Sequence, residues 1–182
     1  MASAQDLRKR IKSVTNTQQI TKAMKMVASA RLRRAQAKAD ATRPYAEKIG
    51  QILRHISTSD LRDYVSPLLE SRPVKRTCYI VIGADKGLAG AYSSNVLKLA
   101  IEQIGQKTPD EYCLITAGRK PKDSLKSRNY HIDQSYSGFS DKPSNEHARH
   151  IMDHALSLYE RHEVTEVILI YTSFVNYMTP IA

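Results

Sequence analysis

The stretch GADKGLAGAY (83–92) holds the residues best placed to do chemistry: three glycines and a carboxylate in a turn between a strand-like run and a helix-like run. Such turns leave backbone N–H groups available to cradle phosphate at a helix N-terminus. The spacing Gly83-x3-Gly87-x2-Gly90 matches neither GxGxxG nor GxxxxGK[ST]. Asp85 would also repel an anion. The turn therefore reads as a structural or subunit-contact loop, with Asp85, Lys86, Gly87 and Gly90 as its candidate residues. His147, His150 and His154 fall at i, i+3 and i+7 on one helix, but the intervening residues do not supply the glutamate of HExxH. Their helical angle lies away from the apolar stripe, which predicts a solvated surface. Cys78 and Cys113 sit in TCYIVI and EYCLITA without CxxC spacing and read as buried free thiols. Asp133 and Asp141 flank QSYSGFS, a serine- and glycine-bearing loop. With no GxSxG motif and no framed acidic pair, no active site is visible in these residues, and none is assigned as catalytic, cofactor-binding or metal-ligating.

Charge points elsewhere. Residues 1–43 hold 11 Lys or Arg against Asp6 and Asp40, a surplus of +9 in a chain whose total is +10. An acidic partner is implied for that segment alone. Clusters such as RKR (8–10) and RLRR (31–34) suit phosphate backbones, while the lack of aromatic residues before Tyr45 disfavours stacking on single-stranded bases. Nucleic acid, an acidic protein and a merely solvated face all remain open from composition.

The elements that carry these residues follow from periodicity. Leu7, Ile11, Val14, Gln18, Thr21, Lys25, Ala28, Leu32, Ala35 and Ala39 alternate in spacings of four and three, a coiled-coil seam with a polar centre. Ile20, Met24 and Val27 form a second stripe rotated from the first. A helix with two partial apolar faces touches more than one neighbour. A helix over 1–43 would be about 60 Å long. Pro44 permits a restart or kink, with Tyr45, Ile49, Ile52, Leu53 and Ile56 continuing the helical period. Residues 1–57 thus form a long shaft helix and 58–76 a connector, with Leu61, Tyr64, Leu68 and Leu69 as expected anchors. Residues 77–182 form an α/β domain. Its strands are expected at 77–83, 111–118, 130–136 and 166–174. Its helices are expected at 93–104 with Ser93 as cap, 119–127 and 144–161, the last burying Ala148, Ile151, Met152, Ala155, Leu156 and Tyr159. Strands alternating with helices predict a Rossmann-like domain with a largely parallel sheet. No apolar run approaches the length a membrane-spanning helix needs, and the N-terminus lacks a secretory signal.

IKSVTNTQQITKAMKMVASARLRRAQ (11–36), followed by RPYAEKI, closely resembles the N-terminal helix of γ subunits of F-type ATP synthases. SPLLESRPVKRTCYIVIGADKGLAGAYSSNV (66–96) resembles the family's connector, first strand and D-[RK]-G-L-C-G loop, with Ala89 where cysteine is usual. TSFVNYMTP (172–180) resembles the segment after a later strand. The family normally continues into a long C-terminal helix. The resemblance therefore implies about the first two-thirds of a γ subunit, its α/β domain incomplete and its C-terminal helix absent.

The resemblance implies a non-catalytic central-stalk rotor that couples ion flow through a membrane ring to ATP synthesis or hydrolysis at β subunits. The implied partners are the α and β subunits, the ε subunit and the membrane c-ring, with no nucleic acid and no cofactor. It places Met24 and Lys25 where the shaft meets acidic β loops, and Arg8, Lys9, Arg10 and Lys12 higher on the shaft. One stripe would face the family's second helix and the other the collar of the α/β ring. Together with the lack of a transit peptide, it implies a peripheral position on the cytoplasmic face of a bacterial plasma membrane. A nucleic-acid-binding protein with a basic helical arm is the alternative.

Overall fold

A computed structural model describes residues 3–58, 66–68, 72–174 and 180–181, in two units, Met1–Val65 and Ser66–Ala182. Leu61, Tyr64 and Leu69, expected as anchors, lie outside the described residues, and Leu68 is exposed.

The first unit is built on one helix, α1 (Ala4–Thr58, 55 residues), about 80 Å long. Its start is capped reciprocally. The Ser3 hydroxyl accepts from the Gln5 N–H at 3.1 Å, and the Asp6 carboxylate accepts from the Ser3 N–H at 3.4 Å. Pro44 lies inside α1, and no restart occurs there. An internal proline removes one N–H and crowds the carbonyl four residues back, at about 3 kcal/mol. The run before Pro44 is rich in alanine, the residue with the highest helix propensity. Arg43–Asp40 (3.9 Å) and Lys48–Gln51 (3.1 Å) bridge the flanking turns.

In the second unit the apolar run 77–82 sets the architecture. β1 (Thr77–Ile82) is buried along most of its length, and so is β2 (Tyr112–Ala117). Strands hidden on both faces read as continuous apolar runs and need helices above and below. The order along the sheet is β3 (Gln134–Tyr136), β2, β1, β4 (Glu166–Ile170), with every pair parallel. Alternation then divides the core. Cys78 and Ile80 join Cys113 and Ile115 under α4 (Asn145–Glu160), while Tyr79 and Val81 join Leu114 under α2 (Tyr92–Ile104) and α3 (Arg119–Lys126). The domain is a three-layer α/β unit with a parallel sheet, as the strand–helix alternation predicts. Residues ahead of β1 are tied to it. The Arg72 guanidinium lies 4.5 Å from the Tyr159 ring centroid and donates to the Tyr159 carbonyl, and the Lys75 N–H donates to the Thr165 hydroxyl at 2.8 Å.

Four elements differ from expectation, the first being the strand expected over 130–136, which forms only at Gln134–Tyr136. Helix α2 begins at Tyr92 with Ala91 as its cap and no side-chain cap bond, so Ser93 lies within the first turn rather than capping it. The strand expected over 166–174 is divided. β4 ends at Ile170, and β5 (Ser173–Phe174) pairs antiparallel with β6 (Pro180–Ile181) in a separate small sheet. Helix α4 buries Ile151, Ala155 and Leu158, leaving Leu156 and Tyr159 half-buried and Ala148 and Met152 exposed. A helix laid on a twisted sheet covers a narrow stripe, and i, i+4, i+7 spacing selects Leu158 over its neighbours.

Candidate functional site

Each unit presents one candidate surface. On α1 every residue of described burial is exposed apart from half-buried Gln36 and Gly50. The seam residues Leu7, Ile11, Val14 and Leu32 face solvent, as do Ile20, Met24 and Val27 of the second stripe. Gln18, Thr21, Lys25, Ala28 and Ala35 complete the seam, and Arg8, Lys9, Arg10 and Lys12 stand exposed near its start. Covering an exposed Leu, Ile, Val or Met side chain contributes about 1.5–3 kcal/mol, so these stripes are large unused reserves of binding energy. The polar centre is partly self-satisfied. The Thr21 hydroxyl donates to the Thr17 carbonyl at 3.0 Å, and Thr15 and Thr17 donate to Ile11 and Ser13 in the same way. A neighbour packed on the seam need not supply partners for those hydroxyls.

In the second unit, the loop between β1 and α2 has a buried root and an exposed tip. The Asp85 carboxylate is 5% exposed. It accepts from the Arg119 N–H (2.9 Å), the Gly138 N–H (2.9 Å), the Ser140 N–H (3.0 Å) and the Ser140 hydroxyl (2.7 Å). Burial by itself raises its pKa, but the Ser140, Gly138 and Arg119 hydrogen bonds outweigh burial and lower it to about 2. An ionised carboxylate with four donors is an anchor, not a proton carrier. Lys86 continues the clasp through its ion pair with Asp141. The serine- and glycine-bearing loop after β3 is thus an internal socket for Asp85. Its composition was visible in the sequence, but its occupant was not, because the two segments are 55 residues apart.

The glycines divide by task. A Cβ on Gly83 would stand 2.5 Å from Pro121 Cγ, and one on Gly118 would stand 2.3 Å from the Gly83 carbonyl oxygen. Gly118 also has φ +115°, a conformation that side chains disfavour. These two let the carboxyl ends of β1 and β2 meet, and sequence reasoning had no signal for Gly118. At the tip, Lys86, Gly87, Ala89 and Gly90 are exposed. Leu88 is 93% exposed with φ +60°, an apolar side chain held outward in the left-handed region.

The remaining candidates have structural tasks. The His147 ring accepts from the Ser144 N–H at 3.2 Å in a reciprocal cap and stacks on Phe139 at 4.9 Å between centroids. His147 and His154 are half-buried, whereas all three histidines were expected on the solvated face. The difference follows from the rotation of the α4 stripe toward Ile151, Ala155 and Leu158. Among the described residues, no three His, Cys, Asp or Glu side chains cluster as a metal site requires. Cys78 and Cys113 are in-register neighbours, both buried and free. Asp133 pairs with Arg76 at 3.6 Å and accepts from the Leu114 N–H. Among the described residues, no helix is long and apolar enough to cross a membrane.

A family model described as ATP synthase matches residues 3–182. An ATP synthase gamma chain of Desulfitobacterium hafniense is 42% identical over 176 residues, 97% of this chain and 62% of that protein. The gamma chain of Brevibacillus brevis is 41% identical over 171 residues, 93% of this chain and 59% of that protein. The chain therefore spans about three-fifths of the length of these relatives. Among solved structures, the central stalk and c-ring of the Tetrahymena thermophila mitochondrial ATP synthase matches with TM-score 0.68 and 24% identity, over 88% of this chain and 68% of that one. The rotor of the Euglena gracilis mitochondrial enzyme matches with TM-score 0.58 and 16% identity, over 95% of this chain and 58% of that one. At these identities the structures speak to the fold, a long helix joined to a parallel α/β domain.

Proposed function

We propose a function from one premise: the chain belongs to the gamma-chain family of ATP synthase. Its role is that of a non-catalytic central-stalk component. It takes part in coupling ion flow at a membrane ring to nucleotide chemistry on β subunits, and it sits peripheral to the membrane on the cytoplasmic side of a bacterial cell. The observation that carries this reading is α1, a 55-residue helix whose two apolar stripes are exposed. A second helix of the family's coiled coil accounts for one stripe, and the collar of an α/β ring for the other. The +9 surplus of residues 1–43 is directed at acidic loops of β subunits, with Met24 and Lys25 at that contact. On the α/β domain, the exposed tip Lys86–Gly90 is the contact for a neighbouring subunit, and Asp85 holds it in place from within.

Rotor angle then acts on each β subunit as a ligand acts on a two-state site. Moving such a site from 1:99 to 99:1 requires about 5.5 kcal/mol of differential contact. An exposed ion pair contributes about 0–1 kcal/mol, so the contact energy is spread over many residues of the shaft.

The test is co-expression of the chain with α and β subunits encoded in the same genome, followed by purification at 0.5 M salt. A stable complex containing all three chains is expected, because apolar stripes hold in salt where phosphate contacts do not. A salt-sensitive shift of duplex DNA with no α/β complex would overturn the reading in favour of a nucleic-acid-binding arm.

A further inference from the structure

Helices α2 and α3 flank a groove on the α/β domain that starts at Gly90, the last residue of the exposed tip. It has a volume of about 550 Å³, within the range of sites that hold small molecules. Its walls carry Lys98, Lys120 and Arg128, and among the described residues no carboxylate lines it. All three cations are exposed at the rim, while Leu97 and Ile101 are half-buried and form an apolar floor. Asp123, the only acid of α3, is not among the lining residues, although residues 119–128 carry five Lys or Arg.

Three like charges around one concavity repel each other, and an anion relieves that repulsion. Directional donors are present as well. Helix α2 opens into the groove at Ser93 and Ser94, and its cap residue Ala91 spends no side-chain bond on the first-turn N–H groups. The Arg128 guanidinium donates to the Ser124 carbonyl at 3.1 Å, a single use of a group that carries five donors. Lys120 is fixed at its root, its N–H donating to the Ala84 carbonyl at 2.9 Å.

We propose that the α2–α3 groove binds a small phosphate ester of charge −2 or greater, with its phosphates on Lys98, Lys120 and Arg128 and its organic body on Leu97 and Ile101. Convergence of the cations on a cavity of small-molecule size favours this ligand over an acidic protein segment, which would need a longer trough. The charge and shape of the groove select the ligand; the glycine spacing of the neighbouring loop does not.

The experiment titrates the isolated full chain, labelled with ¹⁵N, with ADP, inorganic pyrophosphate and adenosine. Parallel arms use an oligoglutamate peptide and vesicles of anionic and of neutral phospholipid. Saturable shifts of the Gly90, Ser93 and Ser94 amides are expected with ADP, weaker ones with pyrophosphate and none with adenosine. The double variant Lys120→Glu, Arg128→Glu changes exposed side chains and should keep the wild-type spectrum elsewhere. It should weaken ADP binding about tenfold or more. Lys122→Glu, outside the lining, serves as the control and should bind as wild type. The proposal is overturned if ADP produces no saturable shift, if the double variant binds unchanged, if Lys122→Glu loses binding equally, or if only the peptide or the anionic vesicles shift these amides.

Discussion

Replacing Asp85 by asparagine tests whether the loop root is an electrostatic anchor. Lowering a carboxyl from its ordinary 3.8 to about 2 stabilises the folded domain by about 2 kcal/mol at neutral pH. The asparagine amide matches the carboxylate in size but removes the charge and turns one acceptor into a donor. If its NH₂ replaces Oδ1, it faces the Arg119 N–H; if it replaces Oδ2, it faces the Gly138 and Ser140 N–H groups and the Ser140 hydroxyl. Either way a buried donor loses its acceptor, at about 1–3 kcal/mol. Asp85→Asn should therefore lower stability at pH 7 by about 2–4 kcal/mol, read from urea unfolding by tyrosine fluorescence, since the chain has no tryptophan. The pH dependence is the sharper readout. A depressed carboxyl contributes fully above its unfolded pKa near 4 and loses that contribution as pH falls through its folded value of about 2. The gap between wild type and variant should thus be constant from pH 7 to 5 and shrink by about 2 kcal/mol toward pH 2. A gap that stays constant down to pH 2, or one below about 0.5 kcal/mol at pH 7, would refute the anchor.

Further substitutions probe other positions. Gly118→Ala meets both a φ of +115° and a backbone oxygen 2.3 Å from the new Cβ, so the Tm of the α/β domain should drop by about 10 °C or more; an unchanged Tm would mean the strand ends can part freely. Thr116→Val removes a fully buried hydroxyl that has no partner among the described residues. It should raise stability by about 1 kcal/mol in urea unfolding, whereas a loss would reveal a bond to water at that site. Lys25→Ala should weaken binding to an α/β subcomplex by less than about fivefold; abolished binding would show that the shaft contact is concentrated at one residue.

Periodicity and composition carried much of this architecture. The 3.6-residue pattern of α1, the buried runs TCYIVI and YCLITA and the alternation of strands with helices are local signals, and each led to the observed element type. Local signals were weaker at ends. Ser93 looked like a cap but lies inside α2, because the chain enters that helix from a tight turn whose geometry depends on Gly90 and Leu88 with positive φ. The apolar stripes of α1 were also legible, since an apolar residue at helical spacing is a property of one helix alone.

The socket was not legible. Asp85 and Ser140 come together only because β1, β2 and β3 lie side by side and bring their carboxyl ends to one edge. The same adjacency presses Gly118 against Gly83 and places Cys78 beside Cys113. It also turns a basic segment that reads as surface into one wall of a groove opposite α2. Sequence by itself determined which segments are helix or strand and where the charge is concentrated, because those depend on neighbours three or four residues away. Only the tertiary structure decided that Asp85 points inward to four donors while the five residues after it are exposed, because that choice rests on hydrogen bonds spanning 34 to 55 residues of chain.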